Sequence, residues 1–474
     1  MTAADAPSSG VRPFTLRDEI GYGLGDMGND LTFVLVGTFF LIFATNVAGV
    51  PPQLAGSLLL IARLVDAFFD IAMGRLVDVL APARDGRYRP WLRRMTIPVA
   101  LLAVACFAPF VRRWPLGWAM TWLGGSYLLY GLAFSAINIP YGSMASVISP
   151  NPLHRSTLSV FRALFAMIGG ALVISLAYFV YATDPASGQQ VLSPVRMPIA
   201  AVACGALAVV LHLTCYHASV ERVATPHVPR AEQPSFAAVL AAMGRNRSLL
   251  AIIFASLLLV IAVGILQGLQ SYLWLDYFRD GRLQLWGGLA LLIPALLLAP
   301  FATRLGARYG KREVAAVGML VGAASCFLGW GLRLHNPWWF LLLSLFGGVG
   351  VGMFNLLVWA MITDVIDYQE LHTGHRDNGT VYATYSWARK LGAALAGGLT
   401  GWLLALIGYR ASHGVHVEQS ATTVQGVYAG MTLLPGLFFL AMGLVLMFWY
   451  PLGRQQVLDN AAELAVRRAQ QQTA

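Results

Sequence analysis

Long apolar runs recur along the entire chain, and they restrict its fold more than any other feature. Most of them reach the roughly 20 residues that a helix needs to cross a bilayer. With 57% hydrophobic and only 11% charged residues, the chain is too apolar for a soluble protein of 474 residues. A backbone in lipid must satisfy its own hydrogen bonds, so the runs predict an all-α polytopic membrane protein. The twelve predicted spans are 20–46, 52–79, 95–112, 117–146, 157–183, 196–217, 248–277, 286–306, 314–334, 338–363, 380–408 and 424–450.

A polar, proline-containing segment divides these spans into two sets of six. We predict a six-helix half at 1–217, a linker at 218–247, a second six-helix half at 248–450 and a polar helical tail at 451–474. The loops after spans 2 and 8 both combine basic residues with glycine, which is a weak internal echo. Two related halves with a site between them are typical of alternating-access transporters.

The distribution of lysine and arginine predicts the orientation in the membrane. With both termini cytoplasmic, the cytoplasmic loops and tails hold 20 of these residues and the outer loops hold 7. This bias predicts a multi-pass protein of the inner (plasma) membrane with both ends inside. It also accounts for the net charge of +10 without a nucleic-acid partner. The sequence shows no nucleophile–base pair and no metal-ligand spacing among its four cysteines, so it does not indicate an enzyme.

Span 2 places two carboxylates where lipid should be. Asp66 and Asp70 are four residues apart, so a helix points both to one side. A charge at membrane depth costs several kcal/mol unless it is paired or hydrated. We interpret the two aspartates as a proton or cation site, and as metal ligands only if the ion is Na⁺. The alternative is a static ion pair with Arg63, three residues before Asp66.

Span 1 holds a second pair of carboxylates, Asp26 and Asp30, in a glycine-rich stretch that favours close helix packing. Asp30 lies deeper in the span and is the predicted substrate contact. Asp26 is a further candidate for substrate binding, but its position near the cytoplasmic end also suits a helix cap or a pair with a loop arginine.

Polar groups also interrupt span 4. Asn138 and Ser135 are three residues apart on one face, and we predict that Asn138 contacts substrate. Pro140 and Gly142 follow, and we expect them to break the helix and to free carbonyls that line a cavity. The alternative is a packing kink with a satisfied amide.

Two cations lie inside other spans. Arg162 offers a planar fork that suits vicinal hydroxyls or a carboxylate, although a snorkelling arginine is the alternative. Lys390, one of only two lysines, needs a carboxylate partner, and switching between aspartates would couple an ion to a substrate; a fixed salt bridge is the alternative. Tyr141 and Trp387 lie near these groups and could stack on a sugar.

Charged residues at the predicted cytoplasmic surface suggest an inner gate. Asp364 and Asp367 end span 10, and Arg87 and Arg89 lie in the loop after span 2. We expect the acidic pair to bind the loop arginines when the gate closes.

With these residues identified, the chain resembles the glycoside–pentoside–hexuronide:cation symporters, the melibiose permease family of the major facilitator superfamily. The resemblance covers nearly the whole chain and includes N-I-P-Y-G-S at 138–143 and R-K-x-G at 389–392. Its most specific motif is A-R-x-x-D-A-x-x-D…G…D…R-x-G-R-x-R-P-W, matched by Ala62, Arg63, Asp66, Ala67, Asp70, Gly74, Asp78, Arg84, Gly86, Arg87, Arg89, Pro90 and Trp91.

The resemblance implies a major facilitator fold of twelve helices and a role for individual residues. Asp66 and Asp70 would bind the coupling cation, with Lys390 nearby. Asp30 and Arg162 would bind the sugar.

The chain departs from the melibiose permease in ways that favour a different substrate. Asn138 replaces a sugar-binding aspartate and Gly142 replaces an aromatic residue, as in the xyloside and glucuronide branch. The loss of a negative charge favours an anionic sugar such as a uronide. Phe69 replaces an asparagine that helps sodium binding, and Ser135 stands where the family can offer a threonine hydroxyl. Fewer neutral oxygens favour proton coupling.

We therefore expect a monomeric secondary symporter in the lipid bilayer that imports a sugar or glycoside with H⁺ or Na⁺ and needs no cofactor. Two alternatives remain open. One is a lysolipid transporter of the same fold, which Asp30, Asn138 and Arg162 argue against. The other is a non-transporting sugar sensor, which would usually need an added soluble domain.

Overall fold

The computed structural model describes residues 12–80, 82–83, 85–223, 246–373 and 378–473. Within them the chain is almost entirely helical. The long helices are α1 (Leu16–Asn46), α2 (Pro52–Val79), α3 (Arg89–Ala105), α4 (Leu116–Ile148), α5 (Pro152–Ser175), α6 (Arg196–Ala218), α7 (Arg247–Tyr272), α8 (Gln284–Tyr309), α9 (Lys311–Leu332), α10 (Pro337–Thr373), α11 (Asn378–Leu406), α12 (Ala421–Leu444) and α13 (Arg454–Thr473).

Short elements extend or connect these helices. A helical turn at Ala177–Val180 leads into a hairpin of β1 (Tyr181–Thr183) and β2 (Gln190–Leu192), which pair antiparallel. The 3₁₀ turns are Pro109–Arg113 and Gly281–Leu283, and α7 and α12 end in the π-helical segments Leu273–Tyr277 and Val445–Trp449.

Each predicted span overlaps one of the helices α1–α12. Ten described helical stretches are long and apolar enough to cross a membrane. The other two helices, α2 and α11, are 28 and 29 residues long and carry the charged positions of spans 2 and 11. Their crossing of the bilayer stays a prediction. The tail is helical as predicted, whereas residues 224–245 of the predicted linker lie outside the described residues.

Two predicted spans differ at their ends from the α-helices, and one local prediction, the helix break at Pro140, was wrong. The helix of span 3 begins at Arg89, because Pro90 starts it without needing an N–H partner, and it ends at Ala105. Span 5 ends as a helix at Ser175, and its last residues form β1. Pro140 does not break span 4, because α4 continues from Leu116 to Ile148 with this proline inside it.

The chain forms two compact units. The first comprises residues 1–231, 279–285 and 401–419, and therefore contains α1–α6. Within it α1 packs on α5 and α6, α3 packs on α4 and α6, and α2 packs on α4. The second comprises residues 232–278, 286–400 and 420–474. Within that unit α9 packs on α10 and α12, α12 packs on α7, and α13 packs on α10.

The segment that follows α6 holds the start of α3 in place. The Glu221 carboxylate accepts hydrogen bonds from the backbone N–H groups of residues 87, 88 and 89, each at 2.8 Å. These N–H groups precede or open α3 and have no partner within the helix. Gly86 has a φ of +122°, and a Cβ there would lie 2.6 Å from the Glu221 carboxyl carbon. The glycine of the span-2 motif therefore makes room for this carboxylate.

Arg222, which follows Glu221, links the start of α1 to the end of α4 in the same unit. Arg222 contacts the Asp18 carboxylate at 3.0 Å and donates to the Ile148 carbonyl at 3.0 Å. Arg12 binds Asp18 as well, at 2.8 Å, and the Asp18 side chain is fully buried. Because an unpaired buried carboxylate is costly, the two arginines together stabilise this end of α1.

The sequence similarity between the loops after spans 2 and 8 has a structural counterpart. In the second unit Gly310 precedes α9 with a φ of +101°, just as Gly86 precedes α3 with a positive φ. Both backbone conformations favour glycine, because L-side chains rarely adopt them.

Candidate functional site

An ion pair inside the first unit joins two of the predicted substrate residues. Arg162 on α5 contacts Asp26 on α1, with Nε and Oδ1 3.1 Å apart. Tyr141 on α4 lies below the guanidinium, 5.4 Å from ring centroid to Cζ. The partner of Asp26 is thus the membrane-depth arginine, rather than a loop arginine or a helix end.

Arg162 contacts Asp26 with only part of its guanidinium. Its side chain is 39% exposed, whereas that of Asp26 is 11% exposed. Nε donates to Asp26, and the guanidinium also lies close to the Tyr22 hydroxyl. A Cβ at Gly142 would lie 3.9 Å from Nη1, so glycine at this position leaves the fork uncovered. The fork can therefore receive a planar anion through two parallel hydrogen bonds.

Asp30 lies one helical turn beyond Asp26 and is partly exposed. It makes no hydrogen bond or ion pair with the described residues. Gly169 on α5 allows α1 to approach closely here, since a Cβ on Gly169 would lie 3.3 Å from the Asp30 Cβ. The carboxylate is therefore available to a ligand, and its predicted contact with substrate stays a prediction.

Tyr141 has a different environment from the one predicted. Its side chain is fully buried and stacks on Tyr22, with ring centroids 4.7 Å apart. Its hydroxyl donates to the Tyr22 carbonyl at 2.6 Å. One ring face meets Tyr22 and the guanidinium of Arg162 lies near the ring, so in this structure Tyr141 supports Arg162 and is not open to a sugar. Its predicted contact with substrate stays a prediction.

Asn138 belongs to a polar chain that crosses four helices. The Asn29 amide on α1 lies 3.5 Å from Asn138 Oδ1 on α4, and Asn29 Oδ1 lies 3.1 Å from His212 Nε2 on α6. His212 Nδ1 lies 3.1 Å from the Thr96 hydroxyl on α3. We call Asn138, Asn29, His212 and Thr96 the amide relay. Sequence reasoning missed His212, because a single histidine in an apolar span carries no pattern that points to a site.

The predicted cation residues are partly brought together. The Ser135 hydroxyl on α4 donates to Asp66 Oδ1 on α2 at 2.8 Å. Arg63 does not form the alternative ion pair with Asp66; its Nε donates to the Tyr127 hydroxyl at 2.8 Å, and its guanidinium lies 5.2 Å from the centroid of the Phe33 ring.

Asp70 is partly exposed on the same helix, one turn after Asp66. Lys390 and Trp387 lie on α11, in the second unit, and both are partly buried. The pairing of Lys390 with an aspartate of span 1 or 2 therefore stays a prediction, as does the stacking of Trp387 on a sugar. Among the described residues, no group of three or more His, Cys, Asp or Glu side chains could hold a metal ion.

Three of the predicted gate residues, Arg87, Arg89 and Asp364, bind partners within their own units. Arg89 donates to the Tyr216 carbonyl from Nη2 at 2.7 Å and lies 4.8 Å from the centroid of its ring. The Tyr216 hydroxyl donates to Asp85 at 2.6 Å, and this bond lowers the pKa of Asp85. The backbone of Arg87 binds Glu221.

The acidic side of the predicted gate lies in the second unit. Both oxygens of Asp364 lie 2.7 Å from the Lys311 ammonium, so the partner of Asp364 in this structure is a lysine and not an arginine. Asp367 is partly buried on the same helix. The opening and closing of a gate by these four residues stays a prediction.

Comparison with known proteins identifies the family. The profile of the MFS/sugar transport protein family matches residues 21–454. The chain belongs to this family. Among curated relatives, it is 30% identical to a putative sulfoquinovose importer of Salmonella typhimurium, over 96% of this chain and 93% of the relative. It is 28% identical to a glucuronide carrier protein homolog of Escherichia coli, over 96% and 97%.

Other similarities are consistent with this assignment. The chain is 31% identical to a putative 2,3-dihydroxypropane-1-sulfonate exporter of Salmonella typhimurium, over 96% of this chain and 98% of the relative. A solved D-xylose-proton symporter has a TM-score of 0.63 at 13% identity, over 92% of this chain and 98% of that one. The latter shows the fold. This MFS/sugar transport protein is thus an all-α multi-pass membrane transporter of the glycoside–pentoside–hexuronide type, and not an enzyme.

Proposed function

We propose that the protein imports an anionic sugar derivative together with a proton across the inner membrane. The observation that carries the proposal is the exposed fork of Arg162, which Asp26 binds through Nε alone. A carboxylate or sulfonate matches two terminal guanidinium nitrogens in charge and in spacing. The curated relatives agree in chemistry, since glucuronides carry a carboxylate and sulfoquinovose carries a sulfonate.

The neutral part of the substrate has its own predicted contacts. Asp30 has no partner among the described residues and can accept hydrogen bonds from sugar hydroxyls. Asn138 is partly exposed and offers an amide. Because Asp26 already neutralises Arg162, the remaining charges at this site are those of Asp30 and the substrate. Protonation within the site would relieve their repulsion, which favours proton coupling.

The proposed coupling site is Asp66 with Asp70, and Lys390 is its proposed partner in the other unit. The Ser135 hydroxyl, which donates to Asp66, is one neutral oxygen beside this site. A sodium ion would need several such oxygens to replace its water shell, whereas a proton needs only the carboxylate. The excess of basic residues in alternate loops supports an orientation with both termini in the cytoplasm.

The first test compares methyl β-D-glucuronide with methyl β-D-glucoside, which differ at C6 in carrying a carboxylate or a hydroxymethyl group. We would add each, at neutral pH, to a lightly buffered, de-energised suspension of cells that express the protein. The glucuronide should raise the external pH and the glucoside should have little effect. Sodium-stimulated uptake of labelled glucuronide without a pH change would show that the coupling ion is Na⁺ and not a proton. Equal responses to both sugars would contradict the anionic substrate.

Arg162→Lys tests the observation that carries the proposal. Lysine keeps a positive charge for Asp26 but loses the planar fork, so affinity for the glucuronide should fall about ten- to hundredfold, the range expected for losing a charged hydrogen bond. The matched control is Arg155→Lys, at an exposed position on the same helix. Unchanged glucuronide affinity in a folded Arg162→Lys protein would remove Arg162 from the site.

A further inference from the structure

The amide relay contains a histidine that the proposed mechanism does not use. His212 is 1% exposed, and each of its ring nitrogens has a polar neighbour at 3.1 Å. A buried polar group that lacked such partners would destabilise the protein, so an apolar residue would be the simpler choice if His212 only filled space. A Cβ at Gly28 would lie 3.1 Å from His212 Nε2, so the glycine makes room for the ring to reach Asn29.

We propose that His212 is a positioning residue that turns the Asn138 amide so that its NH₂ group faces the substrate, and that this orientation selects substrates with an anionic oxygen. The inference rests on the proposed function, because it requires Asn138 to face a sugar.

The direction of the relay follows from its geometry. Asn29 uses its NH₂ group toward Asn138 and its carbonyl oxygen toward His212. A carbonyl oxygen can only accept, so His212 Nε2 must carry the proton. A neutral imidazole has one donor and one acceptor, which makes Nδ1 the acceptor for the Thr96 hydroxyl. All three hydrogen bonds then point the same way, from Thr96 toward Asn138.

The direction of these hydrogen bonds determines which group of the Asn138 amide faces the ligand. The Asn138 carbonyl oxygen is occupied by Asn29, and the Asn138 NH₂ group donates to none of the described residues. Asn138 is partly exposed, so the donor is accessible. An anionic oxygen can accept this donor, and Arg162 supplies further donors nearby on α5. Without His212 the Asn29 amide can turn over, and the amide of Asn138 is no longer held with its donor outward.

Two substitutions separate positioning from packing. His212→Leu removes the donor to Asn29 and keeps a bulky side chain. His212→Gln keeps an N–H donor at a similar reach. The control is Ser126→Ala, which removes a buried hydroxyl on α4 that donates to the Leu123 carbonyl of its own helix.

The readout is the binding selectivity of the purified protein, measured by calorimetry as the affinity for methyl β-D-glucuronide divided by that for methyl β-D-glucoside. His212→Leu should lower this ratio tenfold or more, mainly by weakening glucuronide binding. His212→Gln and Ser126→Ala should keep the ratio within about twofold of the wild type. Thr96→Val, which removes the donor to Nδ1 at nearly constant shape, should lower the ratio to a smaller extent and serves if His212→Leu fails to fold.

Results that contradict the role of His212 differ from results that contradict the proposed function. Equal weakening of both sugars in His212→Leu, or an unchanged ratio, would overturn the positioning role while leaving the proposed function intact. A wild-type protein that binds neither sugar, or binds both equally, would overturn the proposed function and with it the relay's role in selectivity.

Discussion

Asn138 has an environment that its sequence context cannot reveal. The sequence shows a polar residue where relatives of the melibiose type carry an aspartate, and this predicts a less negative site. The structure adds that Asn29 occupies the Asn138 carbonyl oxygen. An aspartate at this position could still accept from Asn29, but it would present a second acceptor in place of a donor.

We therefore expect Asn138→Asp to change the substrate preference. Affinity for a glucuronide should fall at least tenfold, because two negative charges would meet, whereas affinity for the matched glucoside should change far less. Equilibrium binding to the purified protein measures both. Asn46→Asp is the control, since Asn46 lies near the far end of α1 and contacts Tyr409 instead. Parallel losses for both sugars would show that the Asn138→Asp substitution disturbs the fold and not the specificity.

At the scale of single residues, the sequence identifies candidate functional residues better than it predicts which of them contact each other. Asp26 and Arg162 could be identified because charges are rare within apolar spans, but their pairing across α1 and α5 depends on how the helices pack. Tyr141 lies in a recognisable motif, yet burial against Tyr22 makes it a support and not an open platform. His212 was missed, since only tertiary contacts distinguish it from a core residue.

The start of α3 shows how a sequence motif can hold one helix in place. The Glu221 carboxylate accepts hydrogen bonds from three backbone N–H groups at 2.8 Å. Gly86 adopts the positive φ and leaves space for this carboxylate. The sequence predicts that this loop is important, but it assigns its arginines to a gate. The acceptor, Glu221, lies more than 130 residues away along the chain, and no local pattern connects the two.

Glu221→Gln should therefore destabilise the first unit. The amide keeps one acceptor oxygen and adds a donor that faces N–H groups, so we expect a loss of about 1.5–3 kcal/mol, the contribution of a hydrogen bond to a charged group. Thermal unfolding of the purified protein in detergent measures this as a lower Tm. Glu418→Gln, at an exposed position without a hydrogen bond to the described residues, should leave Tm unchanged. A Tm for Glu221→Gln equal to that of the wild type would show that the carboxylate contributes little.

At the scale of the whole molecule, apolar length alone predicts most of the architecture. All twelve predicted spans fall on long helices, because lipid permits few other backbone arrangements. The helix that continues through Pro140 was not predicted. Ser135 and Asn138 both precede Pro140 on this helix, α4, as their spacing in the sequence predicts.

The helix α4 therefore links the proposed cation site to the proposed substrate site. Ser135 donates to Asp66, and three residues later Asn138 contacts Asn29. If occupation of the cation site moves α4, both sites respond, so coupling should depend on the Ser135–Asp66 bond more than binding does. Ser135→Ala should lower energised accumulation of labelled substrate several-fold while affinity in de-energised membranes stays within about twofold, because the variant keeps every substrate contact. Ser143→Ala, which removes a hydroxyl that bonds within the same helix, should preserve both quantities. Unimpaired accumulation in Ser135→Ala would mean that the cation acts through Asp70 or Lys390 without this link, whereas a matching loss of affinity would place Ser135 in the substrate site itself.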